Sequence, residues 1–327
     1  MVKRAKYADK SDALRGVVTA PALGGCFDTA SGKTKFDVSF VVGVVADKIE
    51  NHLPLYRQAE MMAREGLPIH RSSLHQLYGA AAERLSVLYE RMDELLLERG
   101  IIHADETPIR QLDPGREKCK KTFLWCRMTG VGPPLTVFRF SPSRSKETAN
   151  ALYGNYSGTI IRDAYVGCED LDAGHAACWA HARRKFFDAL EAGYRDAASE
   201  LDLIRQLYKI EAEAKRRAEK LGTEQALFQE RKTARRASAC LAESFFDLCR
   251  RREGEETPGS PLRKAAAYAL RLEKALSLFL EDPRLNLDNN PAENAIRPVA
   301  IGRNYAECAI MPSSFHRHDG SRYGLVA

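Results

Sequence analysis

The sequence predicts a mixed α/β protein, and three observations carry that prediction. Two short apolar runs, Ile101-Ile102-His103-Ala104 and Thr159-Ile160-Ile161-Arg162, have the composition of buried strands, and each runs into an aspartate, Asp105 and Asp163. Between them, Lys121 to Arg127 and Leu135 to Phe140 are rich in β-branched and aromatic residues, with turn chemistry from Gly130 to Pro134 separating them. Long stretches of helical spacing flank this strand region on both sides.

Residues 1–37 mix Lys, Gly, Thr and Asp without sustained period and are expected to be irregular. Residues 38–99 form a helical region. Val41, Val42, Val44 and Val45 make an apolar patch, and Leu55, Ala59 and Met62 recur at helical spacing up to Gly66. Gly66-Leu67-Pro68 is a turn, and Ser73 to Gln76 fits a capping box in front of the stripe Leu74, Leu77, Tyr78 and Ala81. This is a helix-turn-helix pattern. Arg57 and Arg64 on its first helix, with Arg71 and His75 at the start of the second, are where phosphate and base-edge contacts would fall. An ordinary helical hairpin has the same pattern. The second helix is expected to run on through Leu85, Leu88, Met92 and Leu95 toward Arg99.

Residues 100–187 hold the strands. The pattern predicts three consecutive antiparallel strands, then a helix from Lys146 to Tyr153, then the run that ends at Asp163. Side chains alternate along a strand, so Asp105 and Glu106 point to opposite faces, and only one of them can join a given cluster. His175 to Phe187 reads as a short strand entering a helix whose first turns carry Arg183, Arg184 and Lys185. Positive charge there opposes the helix dipole and calls for an anion, for which a nucleic-acid phosphate is suited. His181 fits that role or the role of a buried hydrogen-bonding histidine.

Residues 188–285 look wholly helical, with one stripe at Leu201, Ile204, Leu207 and Tyr208 and another at Tyr268, Leu272, Leu276 and Phe279. The pairs and triplets Lys215-Arg216-Arg217, Arg231-Lys232, Arg235-Arg236 and Arg250-Arg251-Arg252 read as solvated faces, part of which would track phosphates. In residues 286–303, Asn290 is placed to cap a helix with Pro291 at its first position, and Glu293 falls in the first turn. An acid there also suits the helix dipole alone.

Fifty Lys and Arg against 44 Asp and Glu give a net charge of +6, and the clustering of the excess points to a polyanionic partner. No run of 18 apolar residues occurs and the opening Met1-Val2-Lys3-Arg4 does not resemble a signal peptide, so a cytoplasmic, nucleoid-associated protein without a membrane partner is expected. The eight cysteines, at positions 26, 119, 126, 168, 178, 240, 249 and 308, include no Cys-x-x-Cys pair and are expected to be reduced thiols, neither zinc ligands nor disulfides.

Taken together, two aspartates at strand ends and a glutamate on a late helix are the ligands wanted by paired Mg²⁺ ions, hard cations that prefer carboxylate oxygen and for which Mn²⁺ can substitute. Here the chain strongly resembles the transposases of the insertion sequence 66 family. The resemblance rests on four blocks: His52-Leu-Pro-Leu-Tyr-Arg-Gln58, His103-Ala-Asp-Glu-Thr107, Cys178-Trp-Ala-His-Ala-Arg-Arg-Lys-Phe186 and Asp288-Asn-Asn-Pro-Ala-Glu-Asn-Ala-Ile-Arg-Pro298. It implies a ribonuclease-H-like catalytic core with an N-terminal helix-turn-helix region and a large all-helical insertion before the catalytic Glu. It places the catalytic, metal-binding triad at Asp105, Asp163 and Glu293, and adds Arg297 and Arg303 to the DNA-binding residues. It implies that water attacks at the ends of the element, and that the liberated 3′ hydroxyl then attacks target DNA. The partners implied are double-stranded DNA, further copies of the chain assembled on it, and accessory proteins of the same element. Residues 1–37 do not resemble the family's longer N-terminal region. After Arg303 the tail 304–327 departs from the family pattern in the manner of a truncation or shifted reading frame. Two other readings compete: a DNA-binding remnant whose triad no longer cuts, and a host nuclease on the same core.

Overall fold

The computed structural model describes residues 6–8, 17–19, 36–111, 119–154, 156–163, 173–305 and 324–325. Within the segment expected to be irregular, Lys6–Ala8 (β1) and Val17–Thr19 (β2) pair antiparallel, in keeping with the β-branched run Val17-Val18-Thr19. The rest of residues 1–35 and residues 306–323, with most of the expected aberrant tail, lie outside the described residues. Among the described residues no helix is long and apolar enough to cross a membrane.

Two compact units divide the chain between Ser86 and Val87. The first contains Val38–Ile49 (α1), Leu55–Arg64 (α2) and the beginning of Arg71–Leu97 (α3). Its core is Val41, Val44, Leu55, Leu74 and Leu77, which are the apolar positions that the helical spacing selects. The valine patch is a helix of its own. It is capped by Asp37, whose side chain accepts from the Phe40 N–H, and it is separated from α2 by a break in which His52 takes a positive φ of 54°. Buried Gln58 ties the break down by donating to the carbonyls of Val44 and Leu53. Gly66, with φ at 83°, makes the left-handed step between α2 and α3 that a side chain would resist. The capping-box expectation fails by a turn: α3 starts at Arg71, and the His70 carbonyl and ring accept from the Ser73 and Ser72 N–H groups, so Ser73 is already helical.

The second unit is built on a sheet of Ile101–Gln111 (β3), Lys120–Thr129 (β4), Thr136–Ser141 (β5), Thr159–Arg162 (β6) and Gly174–Ala177 (β7), in the order β7-β6-β3-β4-β5. The two-residue strand Gly324–Leu325 (β8) adds to β5. The pairs β3/β4 and β4/β5 are antiparallel, as expected, while β6 and β7 run parallel to β3. β3 and β6 come together at a residue without a side chain: a Cβ on Gly158 would lie 2.6 Å from the Gly100 carbonyl oxygen.

Alternation sends neighbouring residues to opposite faces of this sheet. Ile102, Ala104, Trp125, Val137 and Ile160 pack under Tyr89 and Leu96 of α3 and under Ala149 and Tyr153 of Lys146–Tyr153 (α4), the helix expected at those residues. On that face Asp93 of α3 pairs with the buried guanidinium groups of both Arg127 and Arg139, and the Tyr89 hydroxyl donates to the Phe138 carbonyl. Ile101, Ile161 and Ala176 face the other way, into a core shared with five helices: Trp179–Glu191 (α5), Ala197–Glu219 (α6), Glu224–Glu255 (α7), Pro261–Arg271 (α8) and Glu273–Glu281 (α9). Trp179 centres this core. Its ring meets Phe245 and Phe279 edge-on, and its indole N–H donates to the Leu276 carbonyl. The last helix, Asn290–Tyr305 (α10), follows a short loop.

Candidate active site

Strand alternation decides which acids meet. Ile101 and Ile161 both enter the helical core, so Asp105, four residues on from the first, shares that face of β3, and Asp163 follows directly after β6, two residues on from Ile161. The parallel pairing of β3 with β6 joins Ile101 to Thr159, Ile102 to Ile160 and His103 to Ile161. Asp105 and Asp163 continue that register just beyond the last pair, where neighbouring strands lie about 4.8 Å apart. One expectation needs correcting here: Asp105 is not at a strand end, because β3 continues to Gln111 in its ladder with β4. What ends before Asp105 is the pairing with β6, whose last partner on β3 is His103.

A chain of buried and part-buried hydrogen bonds fixes the start of the helix that bears Glu293. Arg231 of α7 donates to Asn286 Oδ1 (2.8 Å), and the Asn286 amide donates to His103 Nε2 (3.0 Å). His103 Nδ1 donates to Asn289 Oδ1 (3.0 Å), and the Asn289 amide donates to the Ala104 carbonyl (2.7 Å). The two bonds to the ring define a neutral imidazole, and burial agrees by holding His103 below its ordinary pKa. The Asn289 N–H donates to Cys178 Sγ (3.3 Å), and its carbonyl accepts from the Ala292 and Glu293 N–H groups. Asn289, and not Asn290 as expected, therefore stands in front of the first turn of α10, and Glu293 lies within that turn.

The acids act on one another through their charge, although among the described residues the group whose ligand atoms all lie within 4.8 Å of one another is a different one. Asp105 is pushed up to about 7, mostly by burial, with the negative charges of Asp163 and Glu293 adding to it. Burial also raises Glu106 to about 7, with contributions from Asp163 and Asp105 against the pull of Arg144. Glu106 points to the opposite face, as alternation requires, and pairs with Arg144, which also comes within 3.9 Å of Asp163. His181 Nδ1 lies 3.7 Å from Glu293 Oε1, and neither atom has a hydrogen-bond partner among the described residues. Cys178, His181 and Glu293 each bring one ligand atom within 4.8 Å of the other two. Sequence reasoning passed over this trio because its third member lies far along the chain from Cys178-x-x-His181.

The basic residues singled out in the sequence fall into different settings. Arg57, Arg64 and Arg71 are exposed in the first unit, whereas His75 is half-buried and is held below its usual range by burial and by the charges of Arg71 and Lys48. Arg183, Arg184 and Lys185 are exposed on α5, with the Lys185 ammonium 5.8 Å from the centre of the Tyr268 ring, and Arg297 is exposed on α10. The Arg303 side chain is outside the described residues. Arg251 is exposed, while Arg250 pairs with Asp247 and Glu273.

Three arginines expected on solvated faces are not there. Arg252 is half-buried and bonds Glu200, itself fully buried, at 2.9 Å. Arg231 and Arg235 are buried and share Glu211, and Arg235 also donates to the carbonyls of Phe279, Asp282 and Leu285, which closes the end of α9. A guanidinium with five donors can be buried when this many acceptors converge on it. The cysteine expectation also changes: Cys126, Cys178, Cys240 and Cys249 are free thiols, but exposed Cys119 is disulfide-bonded.

A family model described as Transposase IS66 family matches residues 33–314, and so extends past Arg303 into the tail. Two relatives from Sinorhizobium fredii (strain NBRC 101917 / NGR234) carry only the descriptions uncharacterized protein y4qI and uncharacterized protein y4jD. The first is 30% identical over 321 residues, covering 93% of this chain and 57% of that protein. The second is 29% identical over 323 residues, covering 92% and 60%. The chain thus spans less than two thirds of the length of these relatives.

Proposed function

This chain belongs to the IS66 transposase family, and on that premise we propose that it is the catalytic part of a DNA transposase whose active site is Asp105, Asp163 and Glu293. The observation that carries the reading is the β3–β6 register, whose continuation by two residues aligns Asp105 with Asp163, together with the negative charges of Asp163 and Glu293 acting on Asp105. The setting supports it. The chain leaves β3 toward β4 and β5 on one side and returns through β6 and β7 on the other, and in open α/β sheets such a switch point is where ligands bind. This mixed sheet, followed by α5 and then by the helices α6 to α9 before α10, is compatible with a ribonuclease-H-like core carrying a helical insertion.

The donor set suits a hard divalent cation: three carboxylates, one raised to about 7 chiefly by its burial, and one with an unpartnered buried oxygen. Asp105, Asp163 and Glu293 would hold Mg²⁺, or Mn²⁺ in its place. When bound, paired ions activate a hydroxyl and stabilise a departing oxygen at phosphorus. The protein itself orients and balances charge. The His103–Asn289 bond fixes the first turn of α10 against β3, and Arg144 neutralises Glu106 while lying 3.9 Å from Asp163. Exposed Arg183, Arg184 and Lys185 on α5, with Arg297 on α10, would hold the DNA backbone, and the helices α2 and α3 would read an element end. The substrate is double-stranded DNA in two roles, element end and target, on which copies of the chain assemble. Water would free the 3′ hydroxyl, which then joins to the target strand.

The test is strand transfer of a 3′-ended oligonucleotide carrying the element end into a plasmid. Joined product in Mg²⁺, absent with Asp105→Asn, is expected. Cleavage without joining would favour a nuclease, and full activity of Asp105→Asn would overturn the site.

A further inference from the structure

We propose that Cys178, His181 and Glu293 form a separate site for a thiophilic divalent ion such as Zn²⁺, and that an ion bound there withdraws Glu293 from the two aspartates. The trio comes from two elements that the fold has already brought together. Cys178 ends the link from β7 into α5, His181 lies in the first turn of that helix, and Glu293 lies in the first turn of α10. The Asn289 N–H bonded to Cys178 Sγ holds the two helix starts side by side.

The spacing allows the three side chains to close on one ion. His181 Nδ1 and Glu293 Oε1 are 3.7 Å apart, too long for a hydrogen bond, and both are buried atoms with no partner among the described residues. Tetrahedral zinc with bonds of about 2.0 to 2.3 Å separates its ligand atoms by roughly 3.3 to 3.7 Å. The thiol, imidazole and carboxylate atoms already lie within 4.8 Å of one another, so closure on an ion needs side-chain shifts on the order of 1 Å.

Ligand chemistry selects the ion. A thiolate prefers Zn²⁺ or Co²⁺ to Mg²⁺, whereas the carboxylates of Asp105 and Asp163 favour the hard ion. A thiolate, a carboxylate and a neutral imidazole sum to two negative charges, which balances one divalent cation, and three protein ligands leave a fourth position open. The Glu293 oxygen bound to an ion at Cys178 and His181 is no longer available beside Asp105. Occupancy of the thiolate site would therefore weaken hard-ion binding there. This second half of the proposal rests on the transposase reading, whereas the binding half stands without it.

The experiment titrates the full chain with Co²⁺ in the absence of Mg²⁺ and DNA, following thiolate-to-cobalt charge-transfer absorbance and stoichiometry by equilibrium dialysis. One tightly bound ion is expected, with its absorbance lost in Cys178→Ser and its affinity lowered at least tenfold in His181→Gln. The band is kept in Asp105→Asn and in Cys240→Ser, a control at an exposed cysteine. Because His181 is half exposed, His181→Gln keeps the test available if Cys178→Ser does not fold. An unchanged band in a folded Cys178→Ser or His181→Gln protein would overturn the site. In the strand-transfer assay, Zn²⁺ at a fixed excess of Mg²⁺ should inhibit the wild-type chain at least tenfold more than it inhibits Cys178→Ser, each relative to its own zinc-free rate. Equal inhibition would overturn the withdrawal of Glu293. Absence of strand transfer under all conditions would count against the transposase reading and leave the cobalt result standing.

Discussion

Asp105 and Asp163 are separated by 58 residues, the offset of every β3–β6 pair from Ile101–Thr159 to His103–Ile161, so continuing the ladder by two residues aligns them. Their charges act on each other, with the Asp163 carboxylate adding to the rise in the Asp105 pKa. Two carboxylates held this way, one of them partly buried, store a repulsion that a cation or a proton must relieve.

The burial of Asp105, with that repulsion added to it, makes stability depend on pH with a definite sign. Asp105 titrates at about 7 in the folded chain and near 4 when unfolded. Between those values the native state keeps a proton that the unfolded state has lost, so this group's contribution falls as pH rises from about 4 to about 7 and is flat beyond. Asp105→Asn should therefore be more stable than wild type at pH 8 by on the order of 1 to 3 kcal/mol, with a smaller gap at pH 5. Urea denaturation at both values without divalent cation checks this, and a gap that widens at pH 5 would refute it.

Asn289→Ala should loosen the start of α10. The substitution leaves His103 Nδ1 and the Ala104 carbonyl without the partners they have in the fold, which costs about 2 to 4 kcal/mol. Strand-transfer rate should fall further than the unfolded fraction explains, since misplacing Glu293 by about 1 Å can cost on the order of a hundredfold. Wild-type denaturation midpoint and rate together would show that the latch is dispensable.

Two sets of arginines should separate in their effects. Arg235→Ala strips Glu211 of a buried partner and frees three carbonyls, and should destabilise by about 3 to 5 kcal/mol. Arg184→Ala with Lys185→Ala removes exposed charge and should barely move the denaturation midpoint. It should instead reduce the slope of log affinity against log salt by about 0.9 for each phosphate that is no longer neutralised. An unchanged slope would make the outer face of α5 a solvated surface and nothing more.

Asp93→Ala should be among the most damaging single changes in the second unit. It leaves the buried guanidinium groups of Arg127 and Arg139 uncompensated, at about 3 to 5 kcal/mol. Loss of cooperative unfolding, or a large drop in midpoint, is expected by circular dichroism. A shift within about 0.5 kcal/mol, the scale of ordinary surface substitutions, would contradict the pairing.

Several elements were legible because their signals are local. The helix Lys146–Tyr153 was readable from its own spacing, as were the three antiparallel strands and the long helix ending near Arg99. The acids Asp105, Asp163 and Glu293 stood out because a carboxylate following an apolar run, or in a helix's first turn, is a local departure. Local rules also misled where an element's edge depends on its neighbour. The capping residue of α3 moved from Ser73 to His70, and that of α10 from Asn290 to Asn289.

What the sequence determined by itself is period: which residues share a helix stripe or a strand face, and hence that Asp105 and Glu106 part company. What only the tertiary structure decided is partnership. Arg231, Arg235 and Arg252 have the same neighbours in sequence as solvated arginines, and their burial depends on Glu211, Glu200 and a ring of carbonyls from other helices. His103 and Asn289 are 186 residues apart, and Cys178 meets Glu293 only because α5 and α10 begin at the same corner of the sheet. A side chain's period is set by the bonds next to it, whereas its burial and its charge are set by atoms that the chain reaches only after it has folded.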